Sequence, residues 1–474
     1  MRRLIVTIVA GLALVATAAP FKDGERVCFF GDSVTHWSYY THPVNVFYYT
    51  RYPESDIRIW NCGTGGATAG DAMIAVDGDV LAKKPTHVVI LFGMNDCGMT
   101  WYLPTAQDWM RRNRGDLLKS FTKNLPALYE KVHAGAPEAS FTFCTLVPWD
   151  DALKFKGREG EVGPVGVTAA EVGFCDVVRA LHARVGGGFV DYYTPMLAWN
   201  VEHQKTDPYV SLSPDRIHPR EPGGLFMAAT FLRAQGGHRC VCDVTVDAAA
   251  AKTVRGENAS VSGLKRTDRG GVSFTLLEKS LPCPVEKKAL AMADEIGFWD
   301  EFNRENLAVK GLADGNWTLV IDGSNTVVTA SAADWAKGVN LAKFATPMMK
   351  QAEFVRSRVC WRNGKELGLR DLWVDRTVLW RRLHQINTTS KKKIYTPEED
   401  VDDERVYKAF AKGFAEAYKG DKGEKASYVR MSKDWENRFK VMDEIEADHR
   451  MIRTLNRPVA HVFELRPEAT ITAI

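Results

Sequence analysis

The sequence lacks most features that would place it outside the ordinary globular proteins. Beyond its first residues, no stretch is long and apolar enough to cross a bilayer, which takes about 20 residues. Neither sign of charge dominates: 62 Lys and Arg stand against 59 Asp and Glu in 474 residues, a net charge of +3. A chain this close to neutral has no electrostatic footprint for nucleic acid. No internal repeat is visible, and the one close cysteine pair, Cys240-x-Cys242, is not a zinc-site spacing. Nine cysteines is an odd number, so at least one thiol in the monomer is unpaired. Cys28 and Cys144 fall in predicted buried strands and are expected to be packed free thiols. Cys62 and Cys97 fall in two loops expected to converge, which leaves a disulfide between them open.

What is present begins with a targeting pattern. Met1-Arg2-Arg3 precedes an apolar run from Leu4 to Ala16, and Ala16-Thr17-Ala18 has the A-x-A form of a signal-peptidase site. Two basic residues, a short apolar stretch and a small-residue exit describe a secretory signal peptide over residues 1–18. The run is shorter than a membrane span needs. Export to the periplasm or the extracellular space is therefore expected, with no stable membrane insertion once the signal is removed. Losing Arg2 and Arg3 takes the net charge from +3 to +1.

The length exceeds one ordinary domain, and the texture changes along it. From Arg26 to about Gly236, short apolar runs alternate with amphipathic stretches. The runs are Val27–Phe30, Ile57–Trp60, His87–Phe92, Ser140–Val147 and a shorter Phe189–Asp191. Strands alternating with helices predict a parallel sheet covered on both faces, with ligands beyond the carboxyl ends of the strands. This α/β domain is taken as residues 19–238. After it comes a small β-rich domain, 239–335, with expected strands at Val272–Leu277 and Leu307–Val309. Asp322-Gly323 there lies between two apolar runs, a hairpin signal. Residues 336–474 are expected to be helical, starting at a capping Thr346 with Pro347 in the first turn. Gly364 and Gly368 are candidate breaks in the first of these helices. The charge runs Lys391–Lys393, Glu398–Asp400 and Asp402–Glu404 read as a solvated connector.

Four segments carry chemistry. Gly31-Asp32-Ser33 follows the first strand, so the turn exposes the Ser33 hydroxyl at the sheet's edge. A serine hydroxyl needs a base within hydrogen-bond reach to act as a nucleophile. Asp215-Arg216-Ile217-His218-Pro219 places a carboxylate three residues before a histidine, where it can fix the ring tautomer and leave the other nitrogen free. Asn61-Cys62-Gly63-Thr64-Gly65-Gly66-Ala67-Thr68 gives a backbone that can approach a ligand without Cβ interference. Gly93-Met94-Asn95-Asp96 puts a side-chain amide at the end of the third strand. Amides from these two loops, aimed at one point, would make an oxyanion hole. Each segment alone reads equally well as a turn; their common position at strand ends or in a late loop sets them apart.

In this order the four segments resemble the sequence blocks of the SGNH, or GDSL-type, hydrolases. The resemblance covers residues 26–236. It implies a flavodoxin-like three-layer α/β/α fold with Ser33 as nucleophile, His218 as base and Asp215 as its orienting acid. It also implies an oxyanion hole from the amide of Ser33, the amide of Gly66 and the side chain of Asn95. Gly65 and Gly66 are adjacent, and spacing from Asn61 favours Gly66. The implied chemistry is ester hydrolysis through an acyl-enzyme, with no metal and no organic cofactor. The C-terminal region resembles one appended to some exported bacterial members.

The resemblance leaves the substrate open. No leucine-rich lid is evident, which argues against a long-chain lipase. Export, and the aromatic and polar residues His36, Trp37, Trp101, Trp149 and Asp150 near the expected site, favour an acetylated carbohydrate or another small ester. Asp32, Trp37, Asp96 and Trp149 are the candidate substrate-binding residues. The competing readings are a lysophospholipase or short-chain lipid esterase, and a non-catalytic glycan-binding or scaffold protein. The sequence is silent on oligomeric state.

Overall fold

The computed structural model describes residues 18–73, 75–158, 163–390 and 437–468, with the backbone alone for 371–390. The expected signal peptide (save Ala18) and the three charge runs lie outside these residues.

Five parallel strands form the first sheet: β1 (Arg26–Gly31), β2 (Arg58–Gly63), β3 (His87–Leu91), β4 (Ser140–Cys144) and β5 (Gly188–Val190). Their order is β2-β1-β3-β4-β5, the flavodoxin-like order. The central strands bury both faces, which explains their near-continuous apolar sequence. Phe29 meets Tyr40 and Phe231 on one side, while Phe30 meets Phe92 on the other. Helices Thr41–Arg51 and Glu221–Gln235 pack together, and so do Arg114–Gly135 and Val167–Val185.

The rest of the chain builds two further sheets. One joins β6 (Cys242–Asp247), β7 (Lys252–Glu257), β10 (Glu305–Lys310) and β13 (Val339–Asn340), in the order β13-β10-β6-β7. The other is antiparallel and contains β8 (Ala259–Arg266), β9 (Val272–Glu278), β11 (Asn316–Ile321), β12 (Asn325–Ser331) and β14 (His461–Pro467). Its order is β12-β11-β14-β9-β8. The expected hairpin is β11–β12, turning through Asp322 and Gly323 with φ of +52° and +75°.

Two features differ from the sequence reading. The stretch 336–474 is not wholly helical: β14 lies between β9 and β11, with Phe463 and Leu465 fully buried. Its partners lie more than 130 residues earlier in the chain, so no local signal marks it. Helix Pro347–Ser390 also runs unbroken through Gly364 and Gly368. A mid-helix glycine costs about 1 kcal/mol, and burial of Val355, Val359, Arg362, Glu366 and Arg370 against the hydrolase domain outweighs it. Thr346 caps the helix as expected, its Oγ1 accepting from the Met349 N–H at 2.9 Å.

Cys62 and Cys97 are free and buried rather than bridged. Each thiol donates to a local carbonyl, Cys62 to Asp79 and Cys97 to Met94.

Candidate active site

The turn that carries Ser33 is fixed by close backbone contact. β1 ends at Gly31, and Ser33 opens a four-residue helix, Ser33–His36. Asp32 caps that helix by accepting the Val34 N–H at 2.9 Å. As the first helical residue, Ser33 has an N–H with no acceptor inside the helix. Two glycines make room for the turn. A Cβ on Gly31 would stand 2.2 Å from Thr35 Oγ1, and one on Gly63 would stand 2.3 Å from the His36 nitrogen.

The Ser33 hydroxyl lies 2.9 Å from His218 Nε2, and His218 Nδ1 lies 2.9 Å from Asp215 Oδ2. A carboxylate only accepts, so Nδ1 carries the ring proton and Nε2 is left to accept from Ser33. Asp215 also holds its own loop. Its Oδ1 accepts the N–H groups of Ile217 at 3.0 Å and His218 at 2.6 Å. Burial pushes this carboxyl up, but the bonds from the His218 ring and the two N–H groups outweigh it and hold the pKa down at about 2. The loop passes through Arg216 at a φ of +76°. The Arg216 side chain pins it, donating to the Leu153 carbonyl at 2.9 Å and lying over the Trp149 and Phe155 rings.

The other two loops leave the sheet at the same level, on either side of Ser33. Gly31 pairs with Gly63 of β2 and with Leu91 of β3, so the loops after these strands begin one inter-strand spacing, about 4.8 Å, from the end of β1. Gly66 has a φ of +73° in the turn closed by Ala67 N to Thr64 O at 3.2 Å; that third position of a turn needs glycine. The Asn95 amide donates to Ala67 O at 3.1 Å, which fixes its orientation and leaves its second N–H. Asp96 accepts the Ala69 N–H with both oxygens at 3.1 Å, lacing the two loops together.

The candidate substrate-binding residues separate by exposure. Trp37 is 53% exposed, one helical turn from Ser33, while Asp32, Asp96 and Trp149 are buried. Burial pushes the Asp32 and Asp96 carboxyls up to about 7. Asp150 is tied to Leu153 N and Gln204 Nε2, and Trp101 rests edge-on against Trp109.

Sequence reasoning missed Arg362 and Arg370. Both project from helix Pro347–Ser390 and are 2% and 3% exposed. Arg362 donates to Tyr49 Oη and to the Ile59 carbonyl at 2.9 Å. Arg370 donates to the Asn61 carbonyl and to the His36 carbonyl at 3.1 Å. It therefore braces the start of the Gly66 loop and the end of the Ser33 helix together. The signal available was the four-residue spacing of Arg362, Glu366 and Arg370, a pattern far more common on solvated faces.

Comparison with known proteins agrees with this geometry. Residues 29–224 match the GDSL-like lipase/acylhydrolase family. An acetylxylan esterase of Geobacillus stearothermophilus is 28% identical over 238 residues, which is 45% of this chain and 95% of that protein. An uncharacterized lipoprotein of Bacillus subtilis is 36% identical over 101 residues, 19% of this chain and 41% of its own. The solved structure of a gut microbial diltiazem-metabolizing enzyme superposes with a TM-score of 0.80 at 28% identity, over 95% of this chain and 99% of its own. That likeness therefore takes in the C-terminal region as well as the hydrolase domain. With the parallel sheet, the strand-end loops and these relatives in agreement, residues 29–224 form a domain of the GDSL-like lipase/acylhydrolase family, and the protein is an ester-hydrolysing enzyme.

Proposed function

We propose that the enzyme removes O-acetyl groups from a carbohydrate through an acyl-enzyme on Ser33. The observation that carries this reading is the unbroken relay from Ser33 Oγ to His218 Nε2 and from His218 Nδ1 to Asp215, each step 2.9 Å. Ser33 Oγ attacks the ester carbonyl carbon while His218 Nε2 takes its proton. Asp215 stabilises the resulting imidazolium. The amides of Ser33 and Gly66 and the side chain of Asn95 hold the negative charge of the tetrahedral intermediate. As that intermediate collapses, the C–O bond to the alcohol breaks and His218 returns the proton to the departing oxygen. Water then attacks the acyl-serine, giving its proton to His218. Acetate leaves, and Ser33 Oγ recovers the proton.

Support for an acetylated carbohydrate comes from the acetylxylan esterase relative and from Trp37, exposed beside the nucleophile, since an aromatic face suits a sugar ring. The chain's opening pattern supports export, where such substrates are met. Acetate release from acetylated xylooligosaccharides, measured alongside a chain-length series of nitrophenyl esters, tests the reading. Cleavage of acetyl esters that falls steeply with acyl length is expected. A preference for long acyl chains would move the assignment to lipid esters, and no cleavage of any ester would remove it.

A further inference from the structure

Beside the nucleophile turn lies a pocket of ≈ 260 Å³ where the hydrolase domain meets the C-terminal region. Trp37, Val46 and Leu225 from the first face Val285, Phe298 and Leu367 from the second. Its rim is continuous with the elements that carry the relay. Trp37 follows Ser33 by four residues and donates its N–H to the Ser33 carbonyl at 3.1 Å. Glu221, also lining the pocket, follows His218 by three. Tyr39, also on the wall, accepts from Arg220 at 2.7 Å, and Arg220 stands 3.5 Å from Asp215. Among the described residues, none from the Gly66 or Asn95 loops lines the pocket.

Most polar wall groups have partners: Arg356 pairs with Glu286, Glu221 with the neighbouring Lys288, and Asn363 donates to His42 Nδ1, while His42 Nε2 has no hydrogen-bond partner among the described residues. The free surface is thus mainly apolar and aromatic. Helix Pro347–Ser390 keeps the space open: Gly364 lines the pocket, and a Cβ there would meet nothing within 4 Å. A glycine inside a continuous helix gives up about 1 kcal/mol of helix propensity, and here it leaves room for a ring.

We propose that this pocket holds an apolar, ring-bearing substituent on the alcohol side of the ester, such as the aromatic aglycone of an acetylated glycoside. The side of the site decides the assignment. The departing alcohol oxygen must take its proton from His218 Nε2, so the alcohol lies toward His218 and away from the oxyanion loops. The pocket wall is built from the segments that directly follow Ser33 and His218, Trp37 to Tyr39 and Glu221, and not from the oxyanion loops, which puts it on that side. The C-terminal region is then part of the substrate site, setting specificity by a wall that the hydrolase domain alone does not have. This proposal rests on ester hydrolysis at Ser33.

The test compares acetylated 2-naphthyl β-xyloside with acetylated methyl β-xyloside, using the full chain. The readout is the ratio of their kcat/KM values. In the unaltered enzyme the naphthyl substrate should be favoured at least about tenfold, the effect of burying one ring's apolar surface. Gly364→Phe fills the pocket and should bring the ratio close to one, chiefly through KM. Gly364→Ala, which restores helix propensity without bulk, should keep the preference. Trp37→Ala, at an exposed position where folding is not at risk, should lower the ratio independently. A ratio near one in the unaltered enzyme, or a preference indifferent to both Gly364→Phe and Trp37→Ala, overturns the proposal while leaving the esterase intact. Failure to cleave either glycoside or any other ester strikes the proposed function itself, and this proposal with it.

Discussion

The hydrolase domain and the long C-terminal helix both reach the Ser33 turn, but they act on different atoms. The strand-end loops bring side chains with chemistry: a hydroxyl, an imidazole, a carboxylate and an amide. The helix brings Arg370, which bonds the backbone carbonyls of Asn61 and His36. In the proposed mechanism one region supplies the reacting groups, and the other holds the frame on which they sit. The two should therefore answer differently to mutation, the first in turnover alone and the second in turnover and stability together.

The sharpest break is at Ser33. Ser33→Ala should lower kcat for acetate release by about 10⁴–10⁶ with the melting temperature unchanged. Next comes Asn95→Ala, expected to cost about 10²–10³ in kcat with little change in KM, because its N–H acts on charge that develops in the transition state. Arg370→Met should cost less in rate, about tenfold in kcat, and should lower the melting temperature too, since two buried carbonyls lose a charged donor. Arg370→Lys should recover part of the rate. Arg362→Met should be the converse. It leaves Glu366 buried beside an empty position, so it should destabilise more and slow turnover less. Equal effects of the two arginine variants on kcat would erase the distinction between bracing the site and bracing the fold.

The smallest expected effect is in the pH dependence of stability, where the regions carry opposite signatures. Asp215 is held down at about 2, so its contribution is full above the ordinary carboxyl range and is lost only as pH falls toward 2. Glu278 and Glu305 lie together, fully buried where the two C-terminal sheets meet, with Cys242 donating to Glu278 at 3.2 Å and buried Arg51 nearby. Burial raises both, Glu278 to about 7 although its bonds to Cys242 and Glu305 pull it down, and the neighbouring Glu278 adds to the rise of Glu305. A raised carboxyl favours the folded state below the unfolded pKa, about 4.3, and that advantage is lost as pH rises through 7. Glu305→Gln should therefore gain on the unaltered enzyme in melting temperature from pH 6 to pH 9. A difference that stays constant across that range would show the pair does not titrate.

The same contrast explains what the sequence made legible. The Ser33, Gly66, Asn95 and His218 segments are short, and their residue types are demanded by local backbone geometry. A turn with positive φ requires glycine at 66, and close approach requires it at 31 and 63. Such demands stay visible in a single sequence. The buried central strands were visible too, since burial on both faces leaves long apolar runs. β14 and Arg370 were not, because each is defined by partners more than 130 residues away in the chain. Phe463 and Leu465 alternate over too few residues to distinguish a strand from a fraying helix end. Arg370 reads as surface charge until the helix is docked. Asp96 and Trp149 illustrate the opposite ambiguity. Lying beside catalytic segments they look like ligand contacts, yet one laces two loops together and the other supports Arg216.

The account depends on one hydroxyl being activated by one imidazole. Labelling the enzyme with a fluorophosphonate, and locating the adduct by mass spectrometry, tests this most directly. The adduct should map to Ser33 and form at a rate that collapses in His218→Ala. An adduct on another serine, or undiminished labelling of Ser33 without His218, would contradict the account.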